Sequence, residues 1–165
     1  MNVDRILTIL KEHEVDYLLI GGMNFMLRHL PLLTFDVDIW IDDNPDNRLR
    51  CVQALDGLKA TWGATEESWG PVNGRNAAWL EIQGVYCLAT PDGALDVFRR
   101  VAGLPSWAEC RERAVLSKTA GGVPFLGLCD ADMLRCQYAL PEGIRHSERI
   151  RHLEASSGSA GGGVR

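Results

Sequence analysis

Alternating residues from 36 to 41 constrain this chain more than any other feature. In Thr34-Phe35-Asp36-Val37-Asp38-Ile39-Trp40-Ile41, the apolar β-branched residues Val37, Ile39 and Ile41 interleave with Asp36, Asp38 and Trp40. This is the period-two pattern of a strand with one face toward a core. The two aspartates then share the opposite face. With a rise of about 3.3 Å per residue, their carboxylates emerge roughly 6 to 7 Å apart. Like charges at that separation repel unless a cation lies between them, and aspartate is depleted in strands. The pair therefore reads as half of a divalent-cation site built from oxygen ligands. A solvated acidic face is the competing reading, and Asp42, Asp43 and Asp46 just downstream fit it.

A second acid breaks an apolar strand later in the chain. Thr90-Pro91-Asp92-Gly93 has turn chemistry, and Ala94-Leu95-Asp96-Val97-Phe98 follows it. A buried carboxylate needs a partner, because an unpaired charge in a core is very costly. A cation shared with Asp36 and Asp38 meets that need. Upstream, Leu18-Leu19-Ile20 ends in Gly21-Gly22, and a glycine pair opening a helix removes side-chain bulk where amides could meet a phosphate.

Around these landmarks the expected order is a helix over Val3 to His13, a strand over Val15 to Ile20, a helix over Met23 to Leu30 stopped by Pro31, the acidic strand, and a helix opened by Asn44-Pro45. A short strand at Ala60 to Trp62 and a loop from Glu67 to Arg75 come next. Ala77 to Ile82 and Val85 to Ala89 are expected to form a hairpin. Ser106 caps a helix, Val115 to Lys118 and Val123 to Leu126 form a hairpin at Gly121-Gly122, and Asp130 caps a helix to Leu140. Ile144 to Ala155 is the last helix, and residues 156–165 read as a Gly/Ser-rich flexible tail. These elements predict one α/β domain over residues 1–155, a mixed sheet flanked by helices with a short helical portion at its C-terminal end.

The composition excludes several classes. At 165 residues, with 46% hydrophobic and 24% charged, the chain is too apolar for a disordered protein and long enough for one core. It has no stretch long and apolar enough to span a membrane and no basic-then-apolar leader, so a cytoplasmic location is expected. Five cysteines without CxxC spacing argue against a disulfide framework or structural zinc, and read as small buried apolar residues. A net charge of -5 disfavours nonspecific nucleic-acid binding. The one basic stretch, Arg145, His146, Arg149, Arg151 and His152, reads as a solvated helix face or as a phosphate-facing patch. The phosphate-loop, dinucleotide, zinc-protease and hydrolase-elbow signatures do not occur.

Taken together, Leu18-Leu19-Ile20-Gly21-Gly22, Pro31, Thr34, Asp36-Val37-Asp38-Ile39, Asn44-Pro45-Asp46-Asn47 and Leu95-Asp96-Val97-Phe98 fall in an order and spacing that resembles the nucleotidyltransferase superfamily, with its polymerase-β-like fold, and small bacterial members of the toxin-antitoxin type in particular. Gly103, Val123-Pro124-Phe125 and the helix at Asp130 continue the likeness as far as the tail.

The resemblance implies that Asp36 and Asp38 bind Mg²⁺ (or Mn²⁺), that Asp96 completes the metal site and helps deprotonate an acceptor hydroxyl, and that Gly21, Gly22 and Thr34 contact the nucleotide. The implied reaction transfers a nucleoside monophosphate from an NTP to that hydroxyl and releases pyrophosphate. The acceptor is left open among a small molecule such as a drug, a tRNA end and a protein hydroxyl. The chain departs from the pattern at His29 and Leu32, where relatives often carry glycine and arginine, and at Gln137, where they often carry lysine. Arg28, Arg75, Lys118 and Arg135 are the replacement cations the sequence offers. These losses keep a second reading open, a catalytically weak or inactive binding module of the same fold, beside a third in which the acids merely pair with Arg28, Arg99 or Arg100.

Overall fold

The computed structural model describes residues 1–159. Eight strands form one mixed sheet in the order β4-β3-β5-β6-β2-β1-β8-β7. They are β1 (Tyr17–Ile20), β2 (Asp36–Ile41), β3 (Thr61–Trp62), β4 (Gly70–Pro71), β5 (Val85–Thr90), β6 (Gly93–Phe98), β7 (Val115–Lys118) and β8 (Pro124–Gly127). The α-helices are α1 (Val3–Glu12), α2 (Gly21–Arg28), α3 (Pro45–Gly57), α4 (Trp107–Glu112), α5 (Asp130–Ala139) and α6 (Ser147–Ser159). The expected α/β class holds, with helices on both faces of the sheet.

The faces follow from the strand pattern. Val37, Ile39 and Ile41 of β2, with Leu95 and Val97 of β6, join the larger core with Ile6, Leu7 and Leu10 of α1 and Val52 and Leu55 of α3. Trp40 points the other way, into a smaller core with Leu18, Ile20, Phe25, Cys110, Met133 and Leu153, which lie on β1, α2, α4, α5 and α6. Burying a leucine or isoleucine side chain is worth about 1.5 to 3 kcal/mol, so each strand face is held in place by several such contributions. Asn44 caps α3 by accepting the Asn47 amide, with Pro45 in the first turn, and Ser106 forms a capping box with Glu109 at α4.

Several expectations are corrected. Ala77–Glu81 is a 3-10 helix rather than a strand, because Trp79 and Leu80 drop into the larger core, where Trp79 packs against Trp62 and Tyr86. The hairpin partner of β5 is instead β6, joined through the Thr90 to Gly93 turn. Within the expected Glu67 to Arg75 loop, Gly70–Pro71 makes the short edge strand β4 on β3. The cap of α5 is Cys129, one residue before Asp130, whose carboxylate is taken by Arg28 and His29. The cysteines also divide: Cys51 and Cys110 are buried, Cys129 and Cys136 partly so, and Cys87 is exposed. The last helix continues to Ser159, past its expected end at Ala155, and residues 160–165 of the anticipated tail lie outside the described residues. Among the described residues no helix is long and apolar enough to cross a membrane.

Candidate metal and nucleotide site

Strand register brings the three acids together. β2 runs parallel to β6 with Asp38 opposite Asp96 and Asp36 opposite Ala94. Neighbouring strands lie about 4.8 Å apart, so equivalent positions on one face converge. One carboxylate oxygen from each of Asp36, Asp38 and Asp96 lies within 4.8 Å of the others, and all three residues are half-buried. Eight ion pairs form among the described residues, and none uses these acids. Arg99 is committed to Asp43 at 2.7 Å and Arg28 to Asp130 at 2.7 Å, which removes the reading in which they neutralise the cluster.

The electrostatics reflect that lack of compensation. Burial, then the charges of Asp36 and Asp96, push the Asp38 carboxyl up to about 7, against a smaller downward pull from the Gly22 amide that donates to it and from Arg149. Asp96 is also raised, chiefly by burial, with the Asp36 charge adding to it and a hydrogen bond from the Cys87 thiol opposing it. That thiol lies 3.5 Å from Asp96 Oδ2, across the β5–β6 pair. Three crowded carboxylates, two of them hard to ionise and none paired, are the donor set that a hard divalent cation takes.

The glycine pair has a sharper role than the sequence suggested. Gly21 adopts φ +63°, and a Cβ there would stand 1.9 Å from Asp38 Oδ2. At Gly22 a Cβ would stand 2.7 Å from both Thr34 Oγ1 and an Arg149 Nη2. What the missing side chains admit is therefore Asp38, Thr34 and Arg149. Thr34 in turn donates to Asp36 Oδ1 at 3.1 Å, fixing that carboxylate's direction.

A cleft of about 670 Å³ opens beside the cluster, lined by Gly21, Gly22, Thr34, Asp36 and Asp38 together with Gln137, His146 and Arg149. Leu33, Phe35, Phe98, Val101 and Leu140 make much of its wall apolar, and Leu33 and Phe35 are each 76% exposed at its rim. The size and the mixture of apolar wall with a few polar groups suit a nucleotide-sized ligand.

The positions that depart from the family pattern are occupied structurally. Leu32 packs against the smaller core, His29 bonds Asp130, and Gln137 Oε1 accepts the His146 amide at 2.9 Å, anchoring the start of α6. Of the cations offered by sequence, Arg28 is tied to Asp130, Arg75 lies over the Trp79 ring and Arg135 bonds Asp132. The cations in the cleft wall are instead Arg100 and Arg149. The sequence offers Arg149 only as one member of a basic stretch that reads as a solvated helix face or a phosphate-facing patch, and Arg100 only as a partner for the acids. Arg149 stands four residues before buried Leu153 on the inward face of α6.

Compared by sequence, the chain matches no protein-family model and no curated protein. Compared by structure, it is similar to the antibiotic-resistance factor ANT(2'')-Ia, with TM-score 0.57 and 14% identity over 96% of this chain and 82% of that one. A Thermotoga maritima protein, TM1012, provisionally assigned as a nucleotidyltransferase, aligns over 96% of this chain and 86% of its own at 13% identity and TM-score 0.45. The fold is nucleotidyltransferase-like.

Proposed function

We propose that this protein is a metal-dependent nucleotidyltransferase. The observation that carries the proposal is the cluster of Asp36, Asp38 and Asp96, unpaired among the described residues, at the edge of a nucleotide-sized cleft. Asp36 and Asp38 would hold Mg²⁺ or Mn²⁺ with Asp96 as third ligand. When bound, the cations neutralise the triphosphate and the charge developing on the attacking and leaving oxygens.

The chain's own residues do the rest. Thr34 and the Gly22 amide orient the two β2 carboxylates. The upward shift of Asp96 makes it a better proton acceptor than an ordinary carboxylate, so it takes the proton of the acceptor hydroxyl. That oxygen bonds to the α-phosphorus, the bond from the α-phosphorus to the bridging oxygen of the β-phosphate breaks, and pyrophosphate leaves with that oxygen. The apolar wall accommodates a base or an acceptor ring. The toxin-like role implied by the resemblance rests on that resemblance alone, and the acceptor stays open among a small molecule, a tRNA end and a protein hydroxyl.

Calorimetry with ATP, GTP, CTP and UTP, with Mg²⁺ or Mn²⁺ present and absent, tests the reading on the natural chain and on Asp38→Asn. Metal-dependent binding lost in the variant supports it, and a natural chain that binds no triphosphate overturns it. The replacement of family cations by Leu32 and Gln137 favours a second reading, a binding module without turnover. Metal-dependent binding with no pyrophosphate release from any acceptor class would select that reading.

A further inference from the structure

Arg149 is a poorly compensated cation in the cleft. It lies on α6, half-buried, and its Nε is buried without a hydrogen-bond partner. No ion pair among the described residues uses its guanidinium, although Asp38 and Asp36 contribute to its field. Its Nη2 lies against the first turn of α2, at the place a Cβ on Gly22 would need. That is the wrong end of a helix for a cation, because the aligned peptide dipoles and free amides there favour negative charge. Desolvation and the helix dipole both act against Arg149, and the carboxylates do not come close enough to pair with it. An arginine held in such a place is explained by an anion that approaches it and the helix terminus together.

Resting on the proposed nucleotidyltransferase reading and deepening it, we infer that Arg149 positions the oligophosphate chain of the substrate. It grips the phosphates distal to the bond that breaks, and afterwards the pyrophosphate product. Asp36 and Asp38 line the same cleft, so a metal-loaded oligophosphate there would meet the carboxylates through its cations and the guanidinium through its oxygens. Gln137 supports this placement indirectly, because its bond to the His146 amide fixes the start of the helix that carries Arg149. On α5 the cleft is lined by Gln137, while Arg135 of the same helix is bonded to Asp132.

The opposite signs of two bindings test the inference. The natural chain, Arg149→Gln and Arg149→Lys are titrated with Mn²⁺ alone, with inorganic tripolyphosphate alone and with both together. Arg149→Gln should bind Mn²⁺ alone as tightly as the natural chain or more tightly, since a repelling cation is gone. It should bind Mn²⁺-tripolyphosphate about tenfold to a hundredfold more weakly, the range expected for lost charge-assisted hydrogen bonds. Arg149→Lys should recover part of that loss. Equal weakening of Mn²⁺ and of Mn²⁺-tripolyphosphate would mean a purely structural role and overturn the inference, as would unchanged tripolyphosphate affinity. Tripolyphosphate binding that depends on Arg149 but not on Mn²⁺ would keep the inference and remove the metal-dependent function. A natural chain that binds Mn²⁺ but never tripolyphosphate would do the reverse.

Discussion

Asp38 stands directly opposite Asp96 in the parallel pairing of β2 with β6. Two segments distant in sequence thus deliver their carboxylates to the same level of the sheet, and Asp36, one strand repeat away, completes the trio. Because β-pairing sets this convergence, substitutions that leave the backbone alone should alter the chemistry of the site without dismantling the domain.

Asp36→Asn and Asp96→Asn should each weaken Mn²⁺ binding at least tenfold, the loss of one charged oxygen ligand from a set of three. Circular dichroism should remain that of the natural chain. Isothermal titration reads the first effect, and affinity within threefold of the natural value in both variants would sink the site assignment.

The pH dependence follows from Asp38. In the metal-free protein its carboxyl is raised from 3.8 to about 7, chiefly by burial. Between those values the folded state holds a proton that the unfolded state has released, so stability falls as pH rises through that window and the whole penalty is present above pH 7. A shift of this size corresponds to about 2 to 4 kcal/mol. In chelator, Asp38→Asn should therefore melt higher than the natural chain at pH 8, with the gap closing toward pH 4. Cation affinity of the natural chain should strengthen from pH 5 to about 7 and then level off, because each bound metal ion displaces that proton. Thermal melts and titrations at several pH values check both signs.

Gly21→Ala should destabilise the fold by about 1 to 3 kcal/mol, since a side chain is forced into a left-handed conformation, and should disturb the site as well. The new Cβ cannot coexist with Asp38 Oδ2 at 1.9 Å, so the carboxylate must turn away. Loss of Mn²⁺ affinity beyond that of an alanine placed at Gly74, which has φ +73° and open space around it, separates the clash from the strain.

A region remote from the cleft supplies a contrast. Asp132 is fully buried and receives two hydrogen bonds from Arg113, at 2.7 and 3.0 Å, and one from Arg135 at 2.9 Å, joining α5 to the end of α4. Burial raises its carboxyl, but the arginine bonds outweigh it and hold the group below its ordinary value. Its contribution is therefore present above pH 4 and lost as pH falls below it. Asp132→Asn should cost about 1 to 3 kcal/mol at pH 7, discounted because both arginines are partly in water. Mn²⁺ affinity should be unchanged within twofold.

Much of this was legible before any coordinates. Period-two alternation at 36–41 fixed which face of β2 carries the acids, and the turn at Thr90 to Gly93 correctly opened β6. The hairpin assigned to Ala77 failed because Trp79 and Leu80 are recruited by a core that local pattern cannot reveal. The basic stretch holding Arg149 stays undecided in sequence between solvated face and phosphate patch for a related reason. A cation on a helix is ordinarily solvated, and only the docking of α6 on Phe25 and Met133 through Leu153 turns this one inward. Likewise, the need for glycine at Gly21 comes from Asp38, a contact between segments that no window of sequence contains.

The alternation on β2 also limits which length changes the gene can tolerate. Inserting or deleting one codon between Asp36 and Ile41 would exchange the two sides of the ribbon, sending carboxylates into the larger core and aliphatic groups toward the cleft. The connection from residue 29 to 35 carries no such parity, so natural variants differing in length are expected there and not six residues later.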